Sequence, residues 1–96
     1  MELQKDIKEK IDLITEYLKQ KGCTKILLFG SIAEGNYNIN SDIDIAVSGI
    51  KPADFFKTIA ALSSIINYEV DLVDYNDLSE DFIRLIEEDG IILYEN

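Results

Sequence analysis

Residues 42–48 alternate between apolar side chains and polar or small ones. The apolar positions are Ile43, Ile45 and Val47. A period of two residues predicts a β-strand with one face in the core. Asp42 and Asp44 fall on the opposite face, about 7 Å apart along the strand. The segment therefore predicts a half-buried strand that presents two carboxylates on the same side.

Other apolar runs predict three more strands, at Lys25–Phe29, Tyr68–Val73 and Ile91–Tyr94. Helical periodicity in the remaining segments gives the order α, β, α, β, α, β, α, β. Asn36–Asn40 reads as a loop. We therefore expect a single α/β (α+β) domain over residues 1–96, in which helices pack on one face of a small mixed sheet.

Turn and capping residues predict where the four helices begin and end. The first helix covers residues 2–21 and stops at Gly22, and the third begins at Lys51-Pro52 with both Phe55 and Phe56 on its apolar side. Capping boxes predict the other two starts. These signals are Ser31 as N-cap with Glu34 at N3 and a stop at Gly35, and Asp77–Glu80 with a stop at Gly90.

The composition restricts the available chemistry. The chain contains no histidine, so acid–base chemistry and metal binding must rely on carboxylates, whose hard oxygen atoms suit Mg²⁺ or Mn²⁺. The net charge is −10 and Arg84 is the only arginine. This balance argues against DNA or RNA as a direct partner and would suit a basic protein partner, although acidic charge usually serves only solubility.

The remaining composition predicts a cytoplasmic protein. The single Cys23 excludes an internal disulfide and fits a reducing compartment. The chain has no histidine to serve as its base, so we discount a catalytic role for this thiol. No apolar run approaches the length of a membrane span, and the first residues do not resemble a signal peptide, so we expect no membrane association.

A third carboxylate extends the pair at Asp42 and Asp44. Asp71 lies in the apolar run Val70–Val73, with its side chain directed away from the core. If the two strands are neighbours, three carboxylates converge and repel one another unless a cation binds. Two metal ions at such a site can stabilise both the attacking and the leaving oxygen of a phosphoryl displacement.

Gly30-Ser31 precedes the carboxylates by ten residues and predicts a phosphate-binding turn. Glycine permits close approach of the backbone, and the Ser31 hydroxyl can donate a hydrogen bond to phosphate. Each signal has a simpler alternative, because Ser31 could merely cap its helix and the aspartates could be solvated surface residues. The complete order of strand, Gly-Ser, short helix and carboxylates favours an enzyme that uses a nucleoside triphosphate with Mg²⁺.

These residues resemble a known family. The segments Phe29–Gly35 and Ser41–Val47 are similar to the signature of the polymerase-β-like nucleotidyltransferase superfamily, and the short length points to its minimal nucleotidyltransferase (MNT) branch. The resemblance implies that Asp42 and Asp44 bind two Mg²⁺ ions. It further implies that Asp71 helps to bind the catalytic ion and assists deprotonation of the acceptor, and that Gly30 and Ser31 hold the phosphates of ATP.

The same resemblance implies a function. Minimal members are typically antitoxins paired with an all-helical HEPN ribonuclease toxin, and some transfer AMP from ATP to a tyrosine of that toxin. A homo- or hetero-oligomer is expected from such pairing. Two alternatives stay open: an antitoxin that acts by occlusion alone, and a transferase for a small molecule such as an aminoglycoside. Glu34 stands where many minimal members carry arginine.

Overall fold

The structure is a computed structural model that describes residues 4–38 and 40–96. Its elements follow the predicted order. They are α1 (Lys5–Gln20), β1 (Lys25–Phe29), α2 (Gly30–Glu34), β2 (Ile43–Ser48), α3 (Pro52–Ile66), β3 (Val70–Asp74), α4 (Glu80–Asp89) and β4 (Ile91–Glu95). Residues 2 and 3 of the first predicted helix, and Ile39 of the predicted loop, lie outside the described residues.

The four strands form one mixed sheet in the order β3-β2-β1-β4. Strand β1 is antiparallel to both of its neighbours, β2 and β4. Strand β3 is parallel to β2, and α3 makes the connection between them. The prediction of a small mixed α/β sheet is confirmed, and the two strands that carry the aspartates are neighbours.

The main core lies between one face of the sheet and the two long helices, α1 and α3. Its side chains come from both helices and from the inward positions of β1, β2 and β3. The short helix α2 adds two more, and the fully buried members are Ile11, Ile14, Leu18, Ile26, Leu28, Ile32, Ala33, Ile43, Ile45, Val47 and Leu62. The alternation predicted for residues 42–48 therefore matches the side-chain burial of β2.

Helix α4 packs on the other face of the sheet, against the prediction that the helices cover one face. Ile86 of α4 lies in a smaller buried cluster with Leu27 and Ala46, the apolar residues on the second face of the central strands. Lys25 forms ion pairs with Glu87 of α4 and, at 3.4 Å, with Glu95. Because Leu27 and Ala46 would otherwise be exposed to water, the second face also needs a cover.

The helix ends confirm the glycine stops and correct one capping box. Gly22 and Gly35 have φ values of +95° and +84°, which favour glycine. Helix α4 is capped by Ser79, whose Oγ accepts a hydrogen bond from the backbone N–H of Phe82 at 3.1 Å, whereas Asp77 lies in a preceding 3-10 turn. Across residues 4–38 and 40–96, no helix is long and apolar enough to cross a membrane.

Candidate active site

The parallel pairing of β2 with β3 places Asp44 directly beside Asp71. Paired residues of neighbouring strands lie about 4.8 Å apart and project from the same face of the sheet. Asp42 comes two residues before Asp44 and immediately precedes β2, so it continues the same face. Asp42 and Asp71 are exposed, and Asp44 is partly buried. The structure thus brings the three sequence-predicted carboxylates to one end of the sheet.

Gly30 closes over Asp44 from the neighbouring strand. The antiparallel pairing of β1 with β2 sets Phe29 opposite Asp44, and Gly30 follows Phe29 with a φ of +79°. A Cβ atom on Gly30 would overlap Asp44 Oδ2 and would lie 3.1 Å from Asp44 Cγ. Position 30 therefore requires glycine for two reasons: its backbone conformation and the space that the carboxylate occupies.

The electrostatics of the cluster favour a bound cation. Burial, the largest cause, and the negative charges of Asp71 and Asp42 together raise the pKa of Asp44 to about 6. Among the described residues, none of these three carboxylates forms an ion pair with lysine or arginine. The concentration of negative charge is therefore uncompensated within the described part of the chain.

The donor set fits Mg²⁺, because it consists of carboxylate oxygens in a chain without imidazole. In the part of the chain that the structure describes, no three carboxylate or thiol groups already converge closely enough to hold an ion. Asp42 and Asp71 are exposed, so both side chains have room to turn toward Asp44. The strands fix the backbone of the three aspartates, and a bound ion would draw their carboxylate oxygens together.

Ser31 is not the N-cap of α2. The helix begins at Gly30, its N-cap position is Phe29, and no side chain makes a capping hydrogen bond. The predicted capping box of Ser31 with Glu34 is therefore wrong. Ser31 lies next to Gly30 in the first turn and is partly exposed, while Glu34 is exposed at the end of the helix. This placement leaves the Ser31 hydroxyl available to a ligand at the carboxylate cluster.

Tyr68 is a residue of the site that the sequence did not single out. Its hydroxyl donates a hydrogen bond of 2.6 Å to the backbone carbonyl of Ser41, which immediately precedes Asp42. Burial and the charge of Asp42 both raise the pKa of Tyr68, so its hydroxyl remains a donor. Only the position of Tyr68 at the start of the predicted third strand, two residues before the observed β3, could have suggested this contact.

Comparison with known proteins places the chain in a family. Residues 9–96 match the family model described as "Polymerase beta, Nucleotidyltransferase". Two proteins of Methanocaldococcus jannaschii, each provisionally named a protein adenylyltransferase, are 33% identical to the chain over 98 residues, spanning 97% of this chain and 100% of each relative. The chain therefore belongs to the polymerase β nucleotidyltransferase family.

Solved structures agree with this assignment. A crystal structure described as a toxin–antitoxin with AMP-PNP superposes with a TM-score of 0.75 at 28% identity, over 97% of this chain and 75% of that chain. A second, the toxin–antitoxin MntA-HepT, gives a TM-score of 0.66 at 27% identity, over 97% and 74%. The chain has the fold of a minimal nucleotidyltransferase, and its class of activity is nucleotidyl transfer.

Proposed function

We propose that the chain transfers AMP from ATP to the hydroxyl group of a tyrosine on a HEPN-type toxin. In this proposal the chain is the antitoxin of a toxin–antitoxin pair. The observation that carries the proposal is the register that sets Asp44 beside Asp71, with Gly30 closed over Asp44. Support for the nucleotide comes from the similar complex with AMP-PNP, and support for a protein acceptor from the adenylyltransferase relatives.

The proposed reaction assigns a role to each site residue. The acceptor oxygen attacks the α-phosphorus of ATP, the bond from that phosphorus to the bridging oxygen breaks, and pyrophosphate leaves. Asp71 accepts the proton of the acceptor hydroxyl, while Gly30 and Ser31 hold the phosphates. Asp42, Asp44 and Asp71 would hold Mg²⁺, two ions in this proposal. Bound Mg²⁺ supplies positive charge that neutralises the phosphate oxygens during displacement.

The accessibility of the site supports a macromolecular acceptor. Asp42 and Asp71, which flank Asp44, are both exposed, so a side chain on a partner's surface can reach the carboxylates without passing through a tunnel. The net charge of −10 favours association with a basic partner, since complementary charge accelerates encounter. The same charge disfavours nucleic acid as a direct ligand.

A second candidate is neutralisation of the toxin by occlusion alone. Glu34 favours it, because this exposed carboxylate lies on the short helix that starts at Gly30 and adds negative charge near the phosphate position. An occluding antitoxin would bind its partner without any change in the partner's mass. The two candidates therefore differ in one measurable product.

The deciding experiment combines the purified chain, Mg²⁺, labelled ATP and the toxin encoded beside it, followed by intact mass of the toxin. We expect a gain of one or more AMP units, abolished by Asp42→Asn and by Asp44→Asn. Asp54→Asn is the matched control, because Asp54 is an exposed aspartate on α3 outside the site. A stable complex without any gain in mass would overturn transfer in favour of occlusion.

A further inference from the structure

A groove of about 290 Å³ lies between the start of α3 and the turn that follows β3. Its lining residues are Pro52, Phe55, Phe56, Asp74, Asn76 and Asp77. All of them lie outside the candidate active site. The volume is just below the usual range for small-molecule sites, so the groove suits a side chain of a protein partner better than a free ligand.

Phe56 presents an aromatic ring to solvent at this groove. Its exposed fraction is 81%, the largest among the exposed large apolar residues of the described chain. Phe55 packs partly buried against the main core and meets Phe56 edge to face, with ring centroids 6.1 Å apart and planes at 89°. Single exposed apolar residues are common, but this ring borders a groove with two further apolar walls, Pro52 and Phe55. Aromatic side chains placed in this way are enriched at protein interfaces.

The charges at the groove favour a basic partner. The charged side chains of the lining are both carboxylates, those of Asp74 and Asp77. Lys51 and Lys57 lie nearby at the start of α3, but with Asp54 the carboxylates of this end of the helix still outnumber its lysines. A second copy of the chain would bring the same carboxylates and a net charge of −10 to the groove, which disfavours self-association. A segment that carries lysine or arginine beside an apolar side chain is complementary to both features.

The groove lies within reach of the carboxylate cluster. The register pairs Asp44 with Asp71 and Val47 with Asp74, so Asp74 lies about 10 Å beyond Asp71 on the same strand. Strand β3 is the terminal strand of the sheet, so a partner segment that lies along its outer edge contacts both faces. A helix covers this distance in about two turns. A partner held at the groove can therefore place another of its side chains at Asp71.

We propose that this groove anchors the basic protein that the proposed function makes the acceptor, with Phe56 as the central contact. An apolar side chain of that protein packs against Phe56 and Pro52, and a neighbouring lysine or arginine pairs with Asp77, which is exposed. The inference rests on the proposed function for the identity of the partner. Anchoring at this distance from the chemistry holds the acceptor protein while its modified side chain enters and leaves the carboxylate site.

Binding of the toxin encoded beside the chain, measured by calorimetry in the absence of ATP, tests the anchor without turnover. We expect Phe56→Ala to raise the Kd for the toxin about ten-fold. The melting temperature should stay unchanged, because the ring is largely exposed. Ile65→Ala is the matched control, since Ile65 is 52% exposed near the other end of the same helix and its loss should leave the Kd unchanged.

The carboxylates of the groove are tested separately. Asp77→Lys should also raise the Kd for the toxin, and the affinity of the wild type should fall as salt is raised. Glu9→Lys makes the same charge change on the exposed side of α1 and is the control for overall charge. Equal losses of affinity in these two variants, with Phe56→Ala unaffected, would overturn the proposal in favour of attraction by total charge.

Anchoring and transfer can fail independently. A complex that depends on Phe56 but gains no AMP would support the groove and contradict the proposed transferase. Gain of AMP with an unchanged Kd in Phe56→Ala and Asp77→Lys would overturn the groove and leave the transferase in place. Absence of any complex with the toxin would also overturn it. A dimer of the chain in sedimentation that Phe56→Ala abolishes would overturn it too, because the groove would then hold a second copy.

Discussion

Gly30 and Asp44 share a space that admits only one of two groups, the carboxylate of the aspartate or a side chain on the glycine. An added Cβ at position 30 would lie 3.3 Å from the Cβ of Asp44 and would overlap its Oδ2. The Gly-Ser turn and the Asp-x-Asp strand, separated by ten residues in sequence, are therefore one structural unit.

Substitution of alanine for Gly30 and, separately, for Gly35 should distinguish the steric effect on Asp44 from the strain of a positive φ. Gly30 and Gly35 both have positive φ values, +79° and +84°, but a Cβ at Gly35 would meet nothing within 4 Å. Gly35→Ala should lose about 1 kcal/mol of stability and keep its activity. Gly30→Ala should in addition displace Asp44 and abolish AMP transfer. Denaturant unfolding and transfer assays check both, and an active Gly30→Ala would contradict the shared space.

Asp44 should make the metal-free protein less stable as the pH rises. The pKa of Asp44 is raised to about 6 in the folded protein, so the folded state binds this proton more tightly than the unfolded chain. The stability is greatest below the ordinary carboxyl pKa and is lost as the pH passes through about 6. In EDTA at pH 7, the free energy of unfolding of Asp44→Asn should exceed that of the wild type by about 1–2 kcal/mol, after allowance for the partial exposure of Asp44. Near pH 4 the two free energies of unfolding should be equal.

The check is denaturant unfolding of both proteins in EDTA between pH 4 and 8, with Asp54→Asn as the control for loss of an exposed charge. Addition of Mg²⁺ should then stabilise the wild type and leave Asp44→Asn nearly unchanged, since an ion stabilises only the state that binds it. A variant less stable than the wild type at pH 7 would show that Asp44 is compensated in the folded protein.

Ser31→Ala should weaken ATP binding by about 1.5–3 kcal/mol, the contribution of one hydrogen bond to a charged group. Because no side chain caps α2, the substitution should leave the melting temperature unchanged. Titration calorimetry with ATP and Mg²⁺ measures the effect, and Ser64→Ala on the exposed side of α3 is the control. Equal affinities for the two variants would leave Ser31 without a role in binding.

Tyr68→Phe should reduce turnover through the position of Asp42. The variant removes the hydrogen bond to the Ser41 carbonyl, which fixes the chain immediately before Asp42, at a cost of about 1 kcal/mol in stability. We expect a lower kcat and a higher Mg²⁺ requirement. Tyr17→Phe removes the same atom from a partly buried tyrosine of α1 and is the control. An unaltered Mg²⁺ requirement would restrict Tyr68 to a structural role.

Glu34→Arg should lower the KM for ATP several-fold, because it replaces negative with positive charge on the short helix that begins at Gly30. The effect should diminish as salt is raised, since Glu34 is exposed. Glu9→Arg makes the same charge change on the exposed side of α1. If both variants bind ATP equally, overall charge rather than position 34 controls affinity.

Local pattern predicted the elements well because their signals are local. Strand β1 and the start of α3 at Pro52 match the sequence interpretation, and glycines end α1 and α2 as predicted. Two adjacent phenylalanines show the limit. Neighbouring positions on a helix point about 100° apart, so Phe55 and Phe56 cannot both face the core, and Phe56 is exposed.

Long-range placement was harder to predict. The apolar run around Leu27 indicates a strand buried on both faces, but nothing in the pattern of α4 says which face it covers. Ser79 and Asp77 are both good N-cap residues two positions apart, and tertiary packing selects Ser79. Asp44 and Asp71 lie side by side only because β2 and β3 are neighbours in the sheet, and the sequence does not determine the order of the strands.

Because β2 and β3 pair in parallel, the chemistry of this chain depends on which residues of β3 face the same side of the sheet as Asp44. Val70, Asp71 and Leu72 alternate between core and solvent, so one extra residue inserted just before Val70 could shift β3 by a single step. That shift would place Asp71 in the buried core beside Ile45 and would place Val70 beside Asp44. An insertion of one residue would thus abolish activity although every acidic residue remained in the sequence. An insertion of two residues would return the Asp71 side chain to the face of the sheet that carries Asp44.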